Sequence, residues 1–205
     1  MLEKLKAPFI MLFHPFSFLN EIKKRKSGLT LTAVLMVLVY FISEIFVKQF
    51  TSLSFMAGGR GQINVFIILM VTALPAVLFA LSNWCFCTLM QGDGTLNEIF
   101  IAISFSLLPL IIFNIVLTGL SHVLSTDEAS VFVGLNLIKN LWFYFSVFLS
   151  VKIVQQYTFL KTVVSIVLSL FGIAVMVFLA VLIFSLFQQL YIFILSVYNE
   201  ISFRI

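Results

Sequence analysis

The sequence predicts an all-α, polytopic transmembrane helix bundle of about five spans, N-terminus inside and C-terminus outside, with interfacial helices at both ends. Three observations predict it. Of 205 residues, 62% are apolar and 10% charged, whereas an ordinary soluble domain carries roughly 25% charged residues. A chain of this length has too little interior to hide so much apolar surface, so a bilayer must take it. The apolar residues also fall in long runs, close to the ~20 residues that cross ~30 Å of hydrocarbon at ~1.5 Å per residue. Finally, Lys4, Lys6, Lys23, Lys24, Arg25 and Lys26, half of all the Lys and Arg, precede the first long run. A basic cluster beside a span orients it with that end inside and draws it to anionic lipid.

Residues 1–28 read as a cytoplasmic interfacial segment. Phe9, Phe13 and Phe16 are placed to share an apolar face that Pro15 bends, and such a face lies in the membrane surface. Pro8 and Pro15 interrupt the run, and no small-residue cleavage site follows, so it is read as retained rather than as a signal peptide.

Residues 29–187 read as the five-span domain. The first span is placed at 29–47, with Glu44 and Lys48 four residues apart near its far end as an interface charge pair. The glycine-rich loop at 57–61 lacks the Lys-Ser/Thr pair of a phosphate loop and leads into a span, so phosphate binding is excluded. The second span, 63–90, carries Pro75 at a kink and Trp84 toward its end. The third, 99–119, carries Pro109 near its middle and opens on Thr95 and Glu98, which have capping-box spacing. Ser125 and Glu128 repeat that spacing before the next helix.

Lys139 and Lys152 bracket only a short apolar stretch, so a full fourth span must include one of them. The expectation is 141–160, with Trp142 at the outer interface, Lys152 snorkelling inward, and 131–138 as a separate approach helix. The fifth span is placed at 162–187, ending at Gln188-Gln189. Residues 188–205 are then an outer interfacial terminal helix bearing Tyr191 and Tyr198. Ser165, Ser169 and Gly172 form a small-residue strip where a neighbouring helix can come close.

No catalytic, cofactor-binding or metal-ligating constellation is expected. His14 and His122 lack partners at metal spacing, and Cys85 and Cys87 point about 200° apart on a helix, so they cannot bridge each other. Nucleic acid is excluded as a partner, because aromatics near the short basic cluster form a membrane-seeking face, not a stacking platform.

The ordered set of pieces resembles the YIP (Ypt-interacting-protein-like) family of five-span membrane proteins, bacterial type. Those pieces are His14-Pro15-Phe16, Trp84 with Gly92-Asp93-Gly94, Leu107-Leu108-Pro109, Thr126-Asp127-Glu128, Trp142, Tyr157 with Lys161-Thr162, and Tyr198-Asn199-Glu200. The resemblance implies a multi-pass protein of the bacterial plasma membrane. It implies a non-enzymatic accessory subunit of an ABC transporter, a carbohydrate importer among the options, bound to permease subunits or forming a homo-oligomer. The candidate partner contacts are Phe9, Phe13, Phe16, Ser165, Ser169, Gly172, Tyr191 and Tyr198. A second reading is a self-assembling small-solute channel or transporter with Pro75, Pro109 and Asn114 near the path. A third is a membrane-shaping or trafficking protein.

Overall fold

The computed structural model describes residues 29–52 and 64–204. The interfacial segment with Phe9, Phe13 and Phe16, and the loop at 57–61, lie outside the described residues. Among those described, the chain is helical without strands. Five helical stretches are long and apolar enough to cross a membrane. They comprise α1 (Thr30–Phe50), α2 (Val65–Leu89), α3 (Leu96–Ser106) joined end to end with α4 (Leu108–Leu120), α5 (Ala129–Gln155) and α6 (Phe159–Arg204).

Contacts between helix ends fix the up-and-down order. At one face, Asn97 Nδ2 donates to Thr30 Oγ1 at 3.3 Å and Gly94 N donates to Gln155 Oε1 at 3.0 Å. This is the Leu29 face. At the other, the Thr51 face, Ser52 N donates to Ser121 Oγ at 3.1 Å and His122 Nε2 meets Phe50 O at 2.7 Å.

The burial pattern is that of a protein whose solvent is hydrocarbon. Leu31, Val71, Phe171, Phe178 and Phe184 stand exposed, while Asn83, Ser104, Ser106, Asn114, Ser165 and Ser169 are buried. Lipid does not drive apolar side chains together, so small and hydrogen-bonding residues make the helix contacts.

The third span is the hub, packing on α1, α2 and α5, while α6 packs chiefly on α2. The capping box at its start forms: Thr95 Oγ1 accepts from Glu98 N at 3.4 Å, and Thr95 N donates to Glu98 Oε2 at 3.0 Å. Pro109 divides the span at Leu107, because proline has no N–H and its ring collides with the carbonyl four residues back. Ser106 and Ser150, whose hydroxyls meet at 2.7 Å, fasten this joint to α5. Pro75, by contrast, sits inside an uninterrupted α2. At the Thr51 face Ser125 N donates to Glu128 Oε2 at 3.2 Å, the reach-back half of a capping box.

Two boundaries differ from expectation. The fourth span is one helix from Ala129, with no separate approach helix, and it stops at Gln156, whose φ of 54° is left-handed. It therefore takes Lys139 into the membrane and leaves Lys152 in its last turn. Trp142 lies about 20 Å inside the helix, beside Phe113, rather than at its outer end. The expected break at Gln188-Gln189 is absent: α6 runs 46 residues without interruption, because no glycine or proline there releases the chain from the helix. The chain thus crosses once in this region, not as a hairpin.

Candidate functional site

The α2–α6 seam is built from small and polar residues. Ser82 Oγ donates to Ser169 O at 2.7 Å, and Asn83 Nδ2 donates to Ser169 Oγ at 3.0 Å and Ser165 Oγ at 3.3 Å. Cys87 Sγ lies 3.1 Å from Ser165 Oγ. A Cβ on Gly172 would collide with Ser82 Oγ and the Phe86 ring, so only glycine permits this approach. The strip Ser165, Ser169 and Gly172 does admit a close neighbour, but that neighbour is the chain's own α2. These residues are buried in the monomer and present no partner surface, which corrects the expectation that placed a partner there. Cys85 faces outward and Cys87 inward.

At the Leu29 face the seam ends in a glycine cradle. Gly92 has no room for a Cβ against Gln155 Oε1 and Tyr157 Oη, and a Cβ on Gly94 would meet Val154 Cγ1 at 2.9 Å. Gly92 N donates to Cys87 O at 2.7 Å, and Tyr157 Oη donates to the same carbonyl at 3.2 Å. Lys161 Nζ stands 4.4 Å from the Tyr157 ring centroid, a cation–π contact. This loop region lies outside the spans. Burial pushes the Tyr157 phenol pKa up, with the Cys87 side chain and the Asp93 carboxylate adding to the rise.

Nearer the Thr51 face, a charged layer joins three helices inside the membrane. Asn114 of α4 is 2% exposed. Its Nδ2 donates to Glu44 Oε1 at 2.8 Å and to Ser43 Oγ at 3.3 Å, both on α1. Its Oδ1 accepts from Lys139 Nζ of α5 at 3.2 Å. One amide thus connects a carboxylate to an ammonium, using both of its ends. Glu44 turns to α4 rather than along α1 to Lys48, which is exposed. The layer lies about 9 Å from the ends of α1 and α4 and about 15 Å from the start of α5.

Below this layer is an apolar cavity of about 550 Å³. Ala76, Ile103, Leu107 and Leu110 form its buried floor, and Val71, Tyr144, Val167 and Leu170 its exposed rim. Pro75 lines it. Of the pathway candidates, then, Pro75 faces an apolar cavity, Pro109 is buried at the α3–α4 joint and Asn114 is held in the charged layer.

A family model of the Yip1 domain matches residues 9–198. The chain belongs to the Yip1 family. No curated protein and no solved structure matches it. The Yip1 match covers the first four apolar stretches and the fifth as far as residue 198, and the protein is a multi-pass membrane protein. Two of the sequence pieces that carry the family resemblance meet in space, since Gly92-Asp93-Gly94 packs on the segment that leads through Tyr157 to Lys161. In this Yip1-family chain, sequence reasoning missed Lys139 and Glu44 as one site. The cue was present: they are ionisable residues in otherwise apolar runs, which mark a site by default.

Tyr191 and Tyr198 are exposed on α6. The antiparallel contact of Ser82 with Ser169 sets the level of α6 beside α2. Counted outward from there, α6 draws level with Val65, the first residue of α2, at about residue 186. Gln188-Gln189 therefore marks where the helix leaves the bundle rather than where it ends. Beyond it, Leu190, Tyr191, Phe193, Ile194 and Tyr198 are all exposed.

Proposed function

We propose that this Yip1-family protein is a non-enzymatic accessory or assembly subunit of a larger membrane complex, with the membrane domains of an ABC transporter as its partner. The proposal takes the N-terminus as cytoplasmic, from the basic segment before Leu29. The projecting end of α6 carries the reading. A helix of 46 residues is about 69 Å long, more than twice the ~30 Å of hydrocarbon. In the extra length, residues 190–195 are apolar around the circumference and exposed, and a helical stretch of that kind is stable only when covered. A neighbouring membrane protein covers it by packing against it, with Tyr191 and Tyr198 among the contacts. The ABC transporter, with carbohydrate import among its options, comes from the family resemblance of the sequence.

The test is recovery of the tagged full-length chain from native membranes in mild detergent, beside a variant ending at Gln189. Stoichiometric permease and ATPase subunits with the full chain, lost with the shortened one, are expected. Recovery of the full chain alone would reject the reading.

A further inference from the structure

The charged layer and the cavity are parts of one site. Each polar member stands four residues from a cavity wall on its own helix: Glu44 from Tyr40, Asn114 from Leu110 and Lys139 from Phe143. Residues four apart share a helix face. Because α1 and α4 run toward the Thr51 face and α5 runs back, all three polar residues lie on the same side of the cavity. Tyr40, in the wall, interacts with the Glu44 carboxylate. The result is an apolar chamber with the charged layer as a roof about one helical turn beyond its lining.

Its contents are dictated by what surrounds it. The rim at Val71, Tyr144, Val167 and Leu170 is exposed within spans that the bilayer bathes, so hydrocarbon enters sideways without crossing a polar surface. The hydroxyl of Thr72, in the wall, is already donated to Ile68 O at 2.8 Å, and asks nothing of an occupant. The volume falls in the roughly 300–1,000 Å³ range of ligand sites. The lining is almost wholly apolar, with polar atoms only at the Tyr40, Thr72 and Tyr144 hydroxyls, so it favours hydrocarbon over water. At the roof, among the described residues, the Lys139 ammonium makes one hydrogen bond, to Asn114, of the three it can donate. Glu44 balances its charge across the same amide, so what Lys139 offers an occupant is its two remaining N–H donors, suited to the oxygens of a lipid head.

We infer that the cavity holds one acyl chain of a membrane phospholipid, its head-end oxygens accepting hydrogen bonds from Lys139. Such a lipid fills the space between α2, α5 and α6 and binds the otherwise weakly packed α5–α6 side of the bundle. It enters and leaves laterally between Tyr144 and Val167.

The test uses the full-length protein in phosphatidylglycerol vesicles, a fraction of whose lipid carries a photoreactive group on the acyl chain. Adducts are located by peptide mass spectrometry. Cavity adducts on Pro75, Ala76 or Phe79 are expected to saturate with probe, while those on the outward-facing Phe178 and Phe184 rise in proportion to it. Val167→Trp, at the exposed rim where the fold has room for it, is expected to lower the cavity adducts several-fold and spare the outward ones. Lys139→Met is expected to lower them too. Unsaturable cavity labelling, an unchanged signal in Val167→Trp, or labelling by a photoreactive fatty acid but not by the phospholipid would overturn the assignment.

Discussion

Lys139 of α5 donates to the side-chain oxygen of Asn114 of α4 at 3.2 Å, about 9 Å inside the end of α4. The same amide holds Glu44 at 2.8 Å. A lone charge in hydrocarbon is costly, and a charge with a partner much less so. The amide matters because it satisfies both at once.

Asn114→Leu removes the bridge and all three of its hydrogen bonds. The expected loss is about 1–3 kcal/mol, read from unfolding of the detergent-solubilised protein. Lys139→Met alone is expected to cost more than Lys139→Met combined with Glu44→Gln, since the single change strands a carboxylate. Free energies that simply add, within about 0.5 kcal/mol, would show that the two charges are not coupled.

Gly172→Val forces α6 away from α2, because the added carbons meet Ser82 and Phe86. Overpacking of this kind costs about 1–3 kcal/mol. Ser82→Ala loses a single hydrogen bond between helices, worth about 0.6 kcal/mol in a membrane protein. Equal costs for the two variants would argue against close approach as the glycine's role.

Gly92→Ala is expected to open the glycine cradle by displacing Gln155 and Tyr157. The measurable sign is faster hydrogen exchange at Gly94, whose amide is held by Gln155 Oε1, with little change at Asn114 across the bundle. Unchanged exchange at Gly94 would refute the contact.

Tyr157 gives a pH dependence. Its folded pKa is raised, by burial first, above the unfolded value of ~10. Above that pH the unfolded chain gives up its proton first, so stability is full below about pH 10 and falls as pH rises further. Tyr157→Phe is expected to remove this alkaline decline, while losing about 0.5–1.5 kcal/mol at neutral pH with the bond to Cys87 O. Unfolding measured at neutral pH and at about pH 11 distinguishes the two proteins. Parallel curves would overturn the assignment.

Ending the chain after Gln189 is expected to leave the stability of the bundle within about 0.5 kcal/mol of the full chain, as for surface changes away from packed features. The residues removed lie past the start of α2. A large loss on thermal unfolding would mean that the projecting helix holds the fold together.

The spans were legible because hydrocarbon length and apolar run length must agree. The capping box at Thr95–Glu98 was legible because its partners are three residues apart. The limits of α5 were not. Whether a span accepts Lys139 depends on Asn114 and Glu44 arriving from two other helices, and spacing along one helix carries no trace of that. The strip at Ser165, Ser169 and Gly172 was legible as a place of close approach. Which helix approaches was not, since small residues invite any neighbour.

The sequence by itself determined that this chain crosses a membrane about five times, because composition and run length state how much surface hydrocarbon must cover. It determined the local caps, since those bonds close within one turn. Only the tertiary structure decided that α2 fills the small-residue strip, that one amide joins Glu44 to Lys139, and that an apolar chamber lies one turn below them. Those relations connect residues tens of positions apart, and burial and charge pairing at such distances follow from how the helices pack.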